Sequence, residues 1–366
     1  MSAALPDSTV ISIDAMGGDH GPPVAVAGLA LGLDQWRARK VSFLLHGDHA
    51  QIQAQLDRAP GLKPLCEIRH TDLVIASDEK AAQAMRRGKG SSLWNAIEAI
   101  REGKAGAIVS AGNSGALMAI SMLLLRMAAG LERPALVASW PSVRGFTSVL
   151  DVGANVDCDA ERLIEFAIMG EAFHRALRGA ARPTVGLLNV GSEDQKGHDE
   201  VREAHRMLRG GGYDLDYRGF VEGDDISKGV VDVVVTDGFS GNIALKTAEG
   251  TARFLGGEIG AAFRGSPLDM LGAMIARGAL NKVRARLDPS AVNGGPLLGL
   301  NGIVIKSHGS SDAKGFANAV RVAVDLAQSH YAADIQRHLE QLNVVRAERS
   351  EEQQIGASAP PPENNG

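Results

Sequence analysis

The residues able to do chemistry in this chain sit in glycine-rich segments that follow short apolar runs. Asp14 leads into Ala-Met-Gly17-Gly18-Asp19-His20-Gly21, and Gly112-Asn113-Ser114-Gly115 follows Ala107–Ser110. Asp237-Gly238-Phe-Ser240-Gly241-Asn242 follows Val231–Thr236, and the two units look alike, each running strand, Gly, small polar residue, Gly, helix. At a helix start the first N–H groups are free and the dipole is positive, so anions bind there. Glycine and serine also serve as plain caps and turns, so one such loop means little by itself. Several such loops at the carboxyl edge of one sheet point to an anionic or phosphorylated ligand.

Individual side chains sharpen this. Lys196, in Asn189-Val-Gly191-Ser-Glu193-Asp-Gln-Lys196-Gly197, lies between a strand and a helix and could neutralise phosphate charge; the alternative is a solvated lysine. Asn242 could donate its amide to a carbonyl or phosphate oxygen, or merely cap a helix. Lys246 lies one turn further on. His20 and His308, both beside glycines, could orient phosphate, give up a proton or make a structural hydrogen bond. Asp14, Asp19, Asp151 and Asp237 end or follow strands, where carboxylates more often fix loops than transfer protons. Cys158 follows Asn155-Val-Asp157 at a helix start that could stabilise a thiolate, although a small buried residue is the plainer reading.

Other chemistries lack their signatures. There is no G-x-G-x-x-G, no G-x-x-x-x-G-K-[ST], no H-E-x-x-H and no G-x-S-x-G. Ten histidines are scattered without metal spacing, and two cysteines, Cys66 and Cys158, make no disulfide framework. No metal and no cofactor are expected. The formal charge of −5 argues against nucleic acid as a partner. Residues 1–10 lack a basic segment followed by an apolar one, so no secretion signal is read there.

The elements that must position these loops repeat one scheme. Val10–Asp14, Val41–His46, Ala107–Ser110, Ser148–Asp151, Thr184–Leu188 and Val231–Thr236 read as strands, each followed by a glycine-containing turn and a helical pattern. Such alternation predicts an α/β fold: three layers, α/β/α, around a mostly parallel sheet. Ligands then bind beyond the carboxyl ends of the strands. The apolar window Ala116–Leu131 is too short for the roughly 20 residues of a spanning helix and reads as a buried core helix. From 251 to 291 the strand pattern gives way to a helical protrusion, broken at Gly265-Ser266-Pro267. Its second helix, Leu268–Leu287, sets apolar Leu268, Leu271 and Ile275 against basic Arg277 and Lys282, a pattern that suits either a membrane surface or a protein partner. We expect residues 1–8 as an extension, 9–345 as a single catalytic domain and 349–366 as a disordered tail.

These loops, in this order, resemble the bacterial acyl-acyl-carrier-protein:phosphate acyltransferase (PlsX) family over about residues 9–335. The matching segments are Asp14–Pro22, Gly112–Ala116, Asp151–Asn155, Asn189–Glu193 with Lys196-Gly197, Val221–Gly223, Thr236–Asn242 and Lys306–Gly309. Members often have proline where this chain has Ala81, after Asp78-Glu79-Lys80. The resemblance implies a fold like isopropylmalate dehydrogenase and phosphotransacetylase, a homodimer, and no nicotinamide or metal. It implies that a fatty acyl group passes from acyl-carrier protein to inorganic phosphate, and that a membrane-bound glycerol-3-phosphate acyltransferase uses the product. Association with the inner face of the plasma membrane would follow. Lys196 and Asn242 are then the expected catalytic residues. Asp14, Gly17, Gly18, His20, Gly112, Asn113, Ser114, Gly115, Asn155, Asn189, Gly191, Glu193, Asp237, Gly238, Ser240, Gly241, Lys246 and His308 are expected to line the substrate site. The rival readings are a phosphotransacetylase using acyl-CoA, a decarboxylating dehydrogenase, and a non-catalytic scaffold for lipid enzymes.

Overall fold

The first half of the chain builds β1 (Thr9–Asp14), β2 (Val41–Gly47), β3 (Cys66–His70) and β4 (Ala107–Ser110). Between them lie α1 (Pro22–Leu31), α2 (Leu33–Ala38), α3 (His49–Arg58), α4 (Ala81–Arg87) and α5 (Ser92–Arg101), and α6 (Ser114–Leu125) follows β4. A hairpin of β5 (Ala135–Ser142) and β6 (Gly145–Leu150) comes next. The second half continues with α7 (Ala160–Arg178), β7 (Thr184–Leu188), α8 (Asp199–Arg209), β8 (Asp216–Val221), α9 (Gly223–Lys228) and β9 (Val233–Val235). After the long helices α10 (Gly238–Ala262) and α11 (Pro267–Leu287), the chain returns through β10 (Gly295–Leu298), β11 (Ile303–Lys306) and α12 (Ala313–Ala327). This computed structural model describes residues 8–344 apart from 129, 332, 338 and 341. The expected extension before Ser8, residue 345 and the expected tail from 349 lie outside the described residues.

Eleven strands form one sheet in the order β3-β2-β1-β4-β11-β10-β5-β6-β9-β7-β8. Side chains alternate between its faces, as a strand's period of two requires. Ile11 and Ile13 of β1, Ala107 and Val109 of β4, and Val233 and Val235 of β9 enter one continuous core with α1, α7 and α12. Ile108 and Val304 point the other way, beneath α5 and α6, and Val234 joins a separate cluster with Ile226 of α9. Helices therefore cover both faces, and the three-layer expectation holds.

The sheet is mostly parallel, but its two halves run in opposite senses. β10 pairs antiparallel with β11 and with β5, and β5 pairs antiparallel with β6, whereas β6, β9, β7 and β8 are mutually parallel. The carboxyl ends of β1, β4 and β11 consequently do not share an edge with those of β6, β9 and β7. The single edge expected from the strand–helix alternation is in fact two rims, because the β5–β6 hairpin reverses the direction of the chain.

The expected core helix Ala116–Leu131 stops at Leu125. Arg126 adopts φ 61° and Met127 bridges to Leu300. Ala116, Leu117, Ile120, Ser121 and Leu125 are buried, while Leu123 is exposed. The helical protrusion forms, yet its first helix begins earlier than position 251, because α10 springs directly from the loop after β9. None of the described α11 side chains is fully buried. No helix among the described residues is long and apolar enough to cross a membrane.

Candidate active site

The second rim holds Lys196 and Asn242, the residues expected to carry the reaction. It is organised by Asp151, which lies beyond β6 and is completely buried. The carboxylate accepts from the backbone N–H groups of Leu136, Gly153, Ala154 and Asn155 and from the Asn155 Nδ2, at 2.6–3.2 Å. Burial pushes this carboxyl's pKa up while the N–H groups of Ala154, Leu136 and Asn155 pull it down. Asp151 thus fixes a loop, the more common reading of a strand-end carboxylate. Asn155 Nδ2 also donates to Pro134 O at 2.8 Å, so its NH2 group is spent on the same loop.

Helix α10 starts against that loop. Gly238 N donates to Asn155 O at 2.7 Å, and the Asp237 carboxylate caps the helix through Ser240 N at 2.7 Å. A Cβ on Gly241 would collide with Asp151 O, so the Gly-Phe-Ser-Gly run is what permits the approach. Gly241 N bonds Asp237 O, and among the first-turn amides only the Phe239 N–H has no partner among the described residues. Asn242 stands beside it, with Nδ2 donating to Val152 O at 3.1 Å.

Lys196 lies on the next strand's loop, since β7 pairs directly with β9. Its ammonium is 2.8 Å from Glu193 and half exposed. That carboxylate raises the lysine's pKa and is itself held low by it. Asn189 Nδ2 closes the loop by donating to Lys196 O at 3.0 Å, across Gly191 and Glu193. One face of α8 holds the loop from behind. Arg202 donates to Gln195 O at 3.4 Å, and His205 and Arg209 approach Asp194 at 3.5 and 3.4 Å. His205 is in turn bound by the Tyr217 hydroxyl at 2.6 Å and stacked on Phe220.

The first rim gathers Asp14, Gly17, Gly18, His20, Gly112 and His308. Asp14 is buried, and Ser110 Oγ donates to it at 2.7 Å. A Cβ on Gly17 would lie 2.6 Å from Asp14 Oδ2 and 2.7 Å from Gly112 N, so the two glycine loops touch through bare backbone. Gly18 packs on Gly309, and His20 lines a small hollow with Gly17, Ala111, Gly309 and Ser311. His308 Nδ1 faces Ser310 Oγ at 3.0 Å. Ser114 and Gly115 open α6, but Asn113 is occupied within the chain. Its Oδ1 caps α6 at Ala116 N, and its Nδ2 reaches the carbonyls of Ala76, Ser77 and Glu79.

Helix α10 links the rims. Burial and the positive charge of Lys246, in the third turn of α10, depress the pKa of His308. Lys246 itself pairs with Glu249 at 3.0 Å.

Lys306 escaped the sequence reading as a site residue. Its largely buried ammonium donates to Ala111 O at 3.3 Å and to Ser307 O, and burial pushes its pKa down to about 8. A lysine closing the apolar strand Ile303-Val-Ile-Lys306 was the available signal. Cys158 is no thiolate: burial and the nearby Asp151 charge push its thiol up to about 12.

A family model described as fatty acid synthesis protein matches residues 9–334. The chain is 64% identical over 343 residues to a phosphate acyltransferase of Caulobacter vibrioides, covering 94% of this chain and 95% of the relative. It is 60% identical over 342 residues to a phosphate acyltransferase of Phenylobacterium zucineum, with 92% and 95% covered. Among solved structures, a phosphotransacetylase from Streptococcus pyogenes superposes with a TM-score of 0.59 at 16% identity, over 88% of this chain and 95% of that one. The EutD phosphotransacetylase from Staphylococcus aureus gives 0.56 at 15% identity, with the same coverage. Identities this low speak to the fold alone.

Proposed function

The chain belongs to the fatty acid synthesis protein family, and from that premise we infer that it is a phosphate acyltransferase of lipid synthesis, moving a fatty acyl group from acyl-carrier protein to inorganic phosphate. The observation that carries the chemistry is the start of α10. An unpartnered Phe239 N–H and the Asn242 amide stand there, one strand away from the Lys196 loop.

A thioester is an activated donor, so positioning and charge control suffice. Lys196 holds phosphate. A phosphate oxygen attacks the thioester carbonyl carbon, and Asn242 with the Phe239 N–H receives the developing oxyanion. The tetrahedral intermediate then expels the carrier thiolate, which takes up a proton, and the acyl phosphate leaves. No side-chain nucleophile takes part, which accords with the protonated state of Cys158 at neutral pH. The glycine loops of the first rim, with His20 and His308, lie on the other edge of the sheet, and α10 reaches them through Lys246, whose charge faces His308.

The test is incubation with palmitoyl-acyl-carrier protein and phosphate. Phosphate-dependent loss of thioester with appearance of acyl phosphate is expected, and Cys158→Ser should match the wild-type rate. Reaction with acetyl-CoA alone would favour the phosphotransacetylase reading. Trapped acyl-enzyme that disappears in Cys158→Ser would replace direct attack with a covalent route.

The product is greasy, and α11 is suited to deliver it. Leu268, Leu271 and Ile275 are 80%, 53% and 80% exposed, and Arg277 and Lys282 are exposed nearby. We propose that this helix meets an anionic membrane surface, where a membrane-bound glycerol-3-phosphate acyltransferase takes the product, and that the enzyme works as a homodimer. Sedimentation with anionic vesicles should show binding that falls several-fold in Leu271→Glu/Ile275→Glu; equal binding by this variant removes α11 from the contact.

A further inference from the structure

The segment between β3 and α5 runs beside the first rim. Thr71 Oγ1 donates to Gly90 O at 2.6 Å and Ser92 N to Leu73 O at 2.9 Å, which closes residues 71–92 into a loop. The Asn113 amide pins this loop to the start of α6 through three carbonyls at 2.7–3.2 Å. Ala81 occupies the first position of α4, and its Cβ lies near Gly115. Proline fits at that helical position without losing a hydrogen bond.

This loop presents four cations to solvent. Lys80, Arg86, Arg87 and Lys89 are all exposed. None of the four makes an ion pair or side-chain hydrogen bond among the described residues. On α8, by contrast, Arg202, Arg206 and Arg209 each face a carboxylate. No acidic residue lies between Lys80 and Gly90; Asp78 and Glu79 precede the patch, and Asp72 faces His70. Leu73, Val74 and Met85 are exposed at 55%, 48% and 36% on the same loop. Exposed apolar side chains on the same loop as these cations suit a protein-binding surface in a chain whose net charge is −5.

We propose that α4, with Lys80 and Lys89 flanking it, is the docking surface for an acidic carrier protein, whose prosthetic arm enters past Gly112–Gly115 of the first rim. This rests on the acyltransferase reading for the identity of the partner. The charge complement steers the encounter and sets its orientation, while Leu73, Val74 and Met85 supply the apolar contact. The Asn113 clamp places that surface at a fixed distance from the glycine loops, as delivery of a tethered thioester requires.

Two measurements test it. Anisotropy of a labelled acyl-carrier protein should show the Kd of Arg86→Glu/Arg87→Glu/Lys89→Glu raised at least ~10-fold, as expected for several reversed charges at a protein interface. Arg58→Glu, at the end of α3 beneath the opposite face of the sheet, should leave Kd unchanged. In turnover, the triple variant should show a raised KM for the acyl-carrier thioester and a weaker salt dependence. Its kcat, its KM for phosphate and its rate with a short acyl-pantetheine thioester should stay at wild-type values, which also shows that the variant is folded. Unchanged carrier affinity in the triple variant overturns the docking surface, whatever the turnover result. Normal binding differences with no acyl transfer by wild type would instead overturn the acyltransferase reading.

Discussion

Lys196→Ala and Asn242→Ala should each lower phosphate-dependent acyl transfer by about 10²–10³, the usual consequence of losing one preorganised donor to a developing charge. The two losses should differ in kind. The Lys196 ammonium is half exposed and pairs with Glu193, so its removal should appear first as a raised KM for phosphate. Glu193 would then face the incoming anion unneutralised, which adds to the loss, and Glu193→Gln in the Lys196→Ala background should recover part of it. Asn242 should register in kcat, because an oxyanion exists only once attack has begun. Its amide also bonds Val152 O, so the rate must be compared at matched folded fraction. Wild-type rates in both variants would remove the second rim as the reacting centre.

Asp151→Ala should cost about 3 kcal/mol of stability or more, since each buried donor left unsatisfied costs about 1–3 kcal/mol. Four backbone N–H groups and the Asn155 amide converge on this carboxylate. Each one stranded in the interior loses a hydrogen bond that water cannot replace. The damage should reach the site, since α10 begins on the same loop through the Gly238 N–Asn155 O bond. Denaturant unfolding gives the number; a loss below about 1 kcal/mol would mean the loop holds itself without the carboxylate.

Much of this architecture was readable from short patterns. The strands through Asp14, His46, Ser110 and Leu188 announced themselves as apolar runs closed by glycine turns, and each lies where the alternation placed it. The reversal at β5–β6 was not readable, because its strand Ala135–Ser142 carries Trp140-Pro141 and shows no strict alternation of burial. Nor was the end of α6. Leu123, Leu124 and Leu125 look like a continuing core helix, but Arg126 turns away to let Met127 pair with Leu300, a contact 173 positions along the chain. Asn113 is among the residues the family resemblance sets along the substrate site. That its amide also binds three carbonyls near position 77 depends on tertiary placement that local spacing does not encode. Lys306 was overlooked for a related reason: only the folded sheet reveals that its ammonium is largely shielded from water.

Inorganic phosphate has a handful of atoms, and even the best small ligands gain no more than about 1.5 kcal/mol from each. Such a ligand has little to spare for ordering a disordered backbone. The contacts of Arg202 and Arg209 with residues 195 and 194 therefore have a thermodynamic consequence. The entropy lost in shaping the lysine-bearing loop falls on folding, through helix α8, and under the proposed role of Lys196 it is not subtracted again from the affinity for phosphate.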